Sequence, residues 1–255
     1  MVAIVSGNGL GLFDTSLTHL GRSFGGASGL GQNGQSSLVN IANGNLIVQD
    51  RDETILTRGL PLSFVRTYNS RGLVTDGSRQ VQIGQDGWLN VFERRVSGLS
   101  GSVNMAGSTI KRTLADGSEV LFGYDVARGV YVSTAGDGAH DTLSWNASTS
   151  RWTWTEGSSR QQEFYDASGS NGGRLLQIID GKSGAQYDLS YDLSGRLTSV
   201  VSSLSGGDGL YFVYDGANRL KAVNTREGGI SRGQVWYEYD AVGRLSAVIT
   251  DLTPD

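Results

Sequence analysis

The sequence predicts an all-β protein made of short antiparallel hairpins, arranged as a sheet wall, a sandwich or a barrel. Three observations carry that expectation. Glycine occurs 38 times and proline twice, beside 10 Tyr and 5 Trp, a profile of many short strands joined by tight turns. Turn signals return about every 8–12 residues between runs of β-branched and aromatic residues. The last third of the chain repeats itself: a Tyr-Asp pair, a short turn, then Arg-Leu.

Three regions follow from the pattern. Residues 1–37 are dominated by Gly, Ser, Asn and Leu without apolar periodicity and read as a flexible glycine-rich segment. Residues 38–160 form a β-rich entry region. It opens with Val39-Asn40-Ile41 and Leu46-Ile47-Val48 around Asn43-Gly44, the strongest short-range hairpin signal. Next come two strand-like runs flanking Arg58-Gly59-Leu60-Pro61, with Leu62, Phe64 and Arg66 alternating on one face. Further strands are expected around Trp88, at Lys111–Leu114 and Glu119–Tyr124 on either side of Asp116-Gly117, and at Tyr131, Thr142–Trp145 and Arg151–Thr155.

Residues 161–255 hold the repeats. Tyr191-Asp192, Tyr214-Asp215 and Tyr239-Asp240 are each followed by a turn and by Gly195-Arg196-Leu197, Asn218-Arg219-Leu220 and Gly243-Arg244-Leu245. The copies recur about every 24 residues. A degenerate copy begins at Tyr165-Asp166 and, after an insertion, reaches Gly173-Arg174-Leu175. Each copy reads as a hairpin corner: Asp accepts backbone N–H bonds to open the turn, and Gly195, Asn218 and Gly243 take the positive φ that Gly and Asn tolerate best. Arg then lays its planar head on the Tyr ring or pairs with the Asp. Leu197, Val200 and Val201, like Leu245, Val248 and Ile249, stand at i, i+3, i+4, which is a helical stripe. The six-to-eight-residue windows and their Val, Ile, Ser and Thr content favour strands of about that length. Positions three apart on a strand face opposite sides, so a bulge or partial cover on both faces is required.

Little of the sequence points to catalysis. Gly29-Leu30-Gly31-Gln32-Asn33-Gly34 spells a dinucleotide fingerprint without the strand before it or the helix after it. His19 and His140 are far apart, and no nucleophile elbow accompanies His140 beside Asp141. Asp50, Asp52 and Glu53 would suit a paired-acid or calcium site, and Gly206-Gly207-Asp208-Gly209 half resembles a calcium-binding repeat. Both read first as solvated surface or strand-edge charges. No enzyme, cofactor or metal site is expected. Trp152 and Trp154 share a strand face; large aromatics read first as core packing, and the alternative is that, on an exposed face, they stack on sugar rings.

With no cysteine, disulfides and cysteine-ligated metals are excluded. A formal charge of −4 with scattered arginines speaks against nucleic-acid binding. No stretch approaches the ~20 apolar residues of a membrane span, and the first residues lack the make-up of a cleaved secretory signal.

The Tyr-Asp units resemble YD repeats, found in RHS-type bacterial proteins, in the shell components of insecticidal toxin complexes and in teneurins. Gly59-Leu60-Pro61-Leu62, Arg66-Thr67-Tyr68-Asn69-Ser70, Asp86-Gly87-Trp88 and Leu114-Ala115-Asp116-Gly117-Ser118 resemble the entry segment of long RHS proteins. The resemblance implies a sheet that spirals into a hollow shell, of which this chain would be an opening, N-terminal portion. It also implies a secreted or cell-surface bacterial protein, with the remainder of its own longer chain, or an enclosed toxin-like cargo domain, as partner. The alternative is an adhesive sheet that binds a glycan or a protein.

Overall fold

The structure, a computed structural model, describes residues 3–4, 36–40, 45–55, 57, 61–70, 83–85, 87–115, 117, 119–133, 140–166, 173–204 and 206–251. Among them there is no helix. A five-stranded sheet holds β1 (Ala3–Ile4), β2 (Ser36–Asn40), β3 (Asn45–Ile55), β4 (Leu62–Asn69) and β5 (Trp88–Asn90), in that order. Every pairing in it is antiparallel except β1 with β2. The second sheet is a 14-stranded meander in which each strand pairs with its neighbours in sequence. Its first half is β6 (Arg95–Ser100), β7 (Thr109–Thr113), β8 (Glu119–Asp125), β9 (Val130–Ser133), β10 (Thr142–Asn146), β11 (Arg151–Thr155) and β12 (Gln162–Asp166). Its second half is β13 (Leu175–Ile179), β14 (Gln186–Tyr191), β15 (Leu197–Ser202), β16 (Gly209–Tyr214), β17 (Leu220–Glu227), β18 (Ile230–Tyr239) and β19 (Leu245–Thr250).

The all-β expectation therefore holds, and the meander follows from chain chemistry. Connections of two to eight residues leave no length for a crossover helix, so each strand returns beside the last. The expected strands around Lys111, Glu119, Tyr131, Thr142 and Arg151 are β7 to β11. The hairpin read at Asn43-Gly44 is the β2–β3 pair, closed at Asn40 opposite Asn45; its turn lies outside the described residues. The flexible reading of 1–37 also lies outside them, apart from Ala3–Ile4 and the first two residues of β2.

The long sheet curls. Val96 N–H donates to Gly173 O at 3.0 Å, and Arg95 bridges Arg174, so β6 comes back against the start of β13. A Cβ at residue 173 would lie 2.0 Å from Val96 O. Only glycine permits that closure. Inside the curl are Tyr131, Leu143, Trp152, Trp154, Tyr165 and Leu175, all buried. Further along, the concave side of β14 to β19 is filled by the five-stranded sheet. Phe64 of β4 packs on Phe212 of β16, Tyr237 of β18 and Phe92, with ring centroids 5.5, 6.4 and 6.4 Å away. Thr57 meets the Tyr187 hydroxyl at 2.5 Å. One continuous hydrophobic core serves both sheets.

Candidate functional site

The four Tyr-Asp pairs occupy successive corners along one rim of the long sheet, at the ends of β12, β14, β16 and β18. At each of the last three, the Asp carboxylate closes the turn. Asp192 Oδ1 accepts N–H bonds from Ser194 and Arg196, both at 2.9 Å, while Oδ2 accepts Arg196 Nε at 2.7 Å. Asp215 and Asp240 repeat this with Arg219 and Arg244. Gly195, Asn218 and Gly243 have φ of 80°, 64° and 82°, the left-handed conformation read from the sequence. Burial opposes the charge on Asp192 and Asp215, yet the backbone and guanidinium bonds of Arg196 and Arg219 outweigh it and hold both carboxyls below the usual range. For Asp240 the Arg244 backbone N–H is the main cause of the same shift.

The geometry also resolves the i, i+3 stripe. In the β14–β15 pair Tyr191 stands opposite Leu197 but Ser190 opposite Ser199, so Thr198 is an extra residue. The same bulge falls at Lys221, Ser246 and Leu176 in the other three copies. One inserted residue inverts the alternation, and Leu197 and Val200 both become fully buried, as do Leu220 and Val223.

Arginine does both things expected of it, but to different partners. Each of the four pairs with the Asp of its own corner, and the first three stack on the Tyr of the next. Arg174 lies 4.9 Å from the Tyr191 centroid, Arg196 4.8 Å from Tyr214 and Arg219 4.5 Å from Tyr239. Each of these tyrosines donates its hydroxyl to the carbonyl of the preceding copy's leucine: Tyr191 to Leu175 at 2.5 Å, Tyr214 to Leu197 at 2.7 Å and Tyr239 to Leu220 at 2.5 Å. Arg196 further donates to Asn218 Oδ1 at 2.7 Å, corner to corner. Burial raises the Tyr191 and Tyr214 hydroxyls far above their ordinary range, so both remain donors. Changing Tyr214 to Phe is expected to strip the Leu197 carbonyl of this bond and cost about 0.5–1.5 kcal/mol, read from the denaturation midpoint.

Tyr165, in the degenerate copy, is diverted. It is fully buried and donates to Glu163, which also receives Arg94 and Arg112; Arg112 Nε donates to Tyr165 Oη at 3.0 Å. The Arg112 guanidinium lies 3.7 Å from the Trp154 ring. Burial drives the Tyr165 hydroxyl well above its ordinary range. Sequence reading missed this cluster; the available signal was that Glu163 shares strand parity with Tyr165.

Other candidates are placed as follows. Trp152 and Trp154 are 4% and 2% exposed, and Trp152 packs between Tyr131 and Trp145. Both rings face the inside of the curl, which is the core-packing reading; the alternative of sugar stacking on Trp152 and Trp154 is overturned. Asp50 and Asp52 do converge, but on Arg66, at 2.9 and 2.6 Å. Asp52 is the extra residue of a bulge in β3 and also accepts the Tyr237 hydroxyl at 2.6 Å. His140 is exposed, and neighbouring Asp141 accepts the Gly157 N–H. Asp208, just before β16, accepts the N–H of Gly228, just after β17. His19 and the Gly29–Gly34 stretch lie outside the described residues. Among those described, no three His, Asp or Glu side chains gather as metal ligands, and no helix is long and apolar enough to cross a membrane.

No curated protein matches the chain. Over residues 36–122, from β2 into β8 and short of the first Tyr-Asp corner, it is similar to the family described as a domain of unknown function, DUF6531.

Proposed function

We propose that this chain is a non-catalytic, structural part of a YD-repeat shell that encapsulates or displays a toxin-like cargo domain in a longer bacterial protein, secreted or held at the cell surface. The observation that carries the reading is the relay between corners. Each copy supplies an Arg face and a Leu carbonyl that the next copy's Tyr occupies, so the units are built to be added in series. The relay reaches Arg244, whose side chain is 64% exposed against 22–30% for Arg174, Arg196 and Arg219. Its corner is formed, and no described ring lies on it.

The described carboxylates weighed for chemistry are engaged in structure: Asp50 and Asp52 hold Arg66, Glu53 accepts the Thr54 N–H, Asp141 caps a turn and Asp208 accepts the Gly228 N–H. The alternative of an adhesive glycan-binding sheet relied on Trp152 and Trp154, which are buried.

A sheet with an edge at β19 favours pairing with a further strand. Sedimentation of the chain over a range of concentrations is expected to show association, weakened by Ile249→Lys, which puts a charge on an exposed position of β19. A strictly monomeric wild-type chain at every concentration would sink the open-edge reading.

A further inference from the structure

One register recurs wherever a copy meets the next. The residue three after the corner's Leu pairs with the residue four before the following Tyr: Ile178 with Tyr187, Val200 with Leu210 and Val223 with Val235. Two residues further along the incoming strand, Leu189, Phe212 and Tyr237 are buried on the same face. The strand then ends on Tyr191, Tyr214 or Tyr239, whose ring lies against the Arg of the copy before. Each incoming strand therefore reads apolar-x-apolar-x-Tyr, although its other residues differ. At the end of the sheet, β19 presents the receiving half of this junction. It is last in the strand order, with β18 on one side and no described strand on the other. Leu175, Leu197 and Leu220, with Ile178, Val200 and Val223, are buried; their counterparts in the last copy, Leu245 and Val248, are only half-buried. Arg244 is largely exposed. The corner is nonetheless in shape: Asp240 accepts the Arg244 backbone N–H at 2.9 Å and its Nε at 2.8 Å. Gly243 O accepts the Gln85 N–H at 3.1 Å, which fastens the corner to the segment before β5. A partner would meet a guanidinium already oriented, so little ordering remains on this side.

We infer, building on the shell reading and its open edge, that β19 is a binding site for a separate polypeptide strand of the pattern apolar-x-apolar-x-Tyr. The strand adds antiparallel to β19, with its first apolar residue opposite Val248 and its Tyr ring over Arg244. Main-chain bonds along an edge give affinity for any extended segment, and side-chain sites at alternate positions give the choice among segments. Here Arg244 and the half-buried Leu245 and Val248 make that choice, because only this register brings a ring over the guanidinium and apolar side chains onto the inner face. A second copy pairing through its own β19, Leu245-Ser246-Ala247-Val248-Ile249-Thr250, offers no aromatic ring and is the weaker occupant.

The test titrates the full chain with a capped peptide of residues 186–192, Gln-Tyr-Asp-Leu-Ser-Tyr-Asp, and with the same peptide carrying Tyr191→Leu. The first peptide is expected to bind saturably, to protect β19 amides from hydrogen exchange and to reduce the self-association seen in sedimentation. The Tyr191→Leu peptide should bind about 2- to 30-fold more weakly. That penalty should shrink on Arg244→Ala and be retained on Arg244→Lys, which keeps a cation under the ring. An equal penalty on the wild type and Arg244→Ala, protection gained at an edge other than β19, or no peptide binding by a chain that still associates with itself would overturn the inference and leave the open edge standing. A chain that is monomeric at every concentration and does not bind the peptide would sink both.

Discussion

Glu163→Ala is expected to remove about 3–5 kcal/mol of folding stability, the cost of leaving buried guanidinium groups without their counter-charge. Glu163 is fully buried and the two arginines nearly so, with side-chain exposures of 7% for Arg94 and 3% for Arg112. The loss has a structural address. Arg94 belongs to the segment that carries the chain from β5 to β6, Arg112 lies on β7, and Glu163 lies on β12. The carboxylate ties the first strands of the long sheet to one five strands further along the meander, across the interior of the curl. Its removal should therefore lower the urea midpoint and also expose β6 and β7 amides to exchange ahead of β14 to β18. Replacing Glu163 together with Arg112 by apolar residues of similar volume should restore part of the loss, because a buried ion pair is often no better than good apolar packing. A loss below about 1 kcal/mol for Glu163→Ala would mean that water reaches the arginines and that the curl is open.

The sheet was legible in the sequence because its signals are local. Gly195, Asn218 and Gly243 announce positive φ, Asp192, Asp215 and Asp240 announce turns, and each acts within about five residues of itself. The i, i+3 stripe at Leu197 and Val200 looked helical because a bulge at Thr198 and a helix both bring those positions to one face. Turn spacing and the Val, Ile, Ser and Thr content separate the two. What the sequence hid is whatever depends on curvature. Trp152 and Trp154 share a strand face in either reading, and the curl alone decides that this face is inside. The stacking of each Arg on the next corner's Tyr was missed for a related reason: consecutive corners are about 24 residues apart in sequence and become neighbours only once the intervening hairpin has formed. The convergence of Asp52 with Tyr237 depends on the docking of two sheets, which no periodicity records.

That docking sets the second large effect. Phe64→Ala should cost about 3–5 kcal/mol, the usual penalty for emptying a fully buried aromatic site. The expected consequence is more specific than the number. Phe64 is the ring through which β4 touches β16 and β18, so the vacancy lies between the sheets and not within either one. Hydrogen exchange should accordingly report loss of protection in β3 and β4 first, while the corners at Tyr191 and Tyr214 keep theirs, since their relay bonds run within the long sheet. Equal loss in both sheets at once would mean that they fold as one unit and that the repeats depend on the filler. Separation of the two losses would mean that the repeat sheet keeps its curvature without what it encloses. A wall that retains its form around different contents is what the shell reading requires, and a wall that collapses with its filling would make this region the packed end of such a structure.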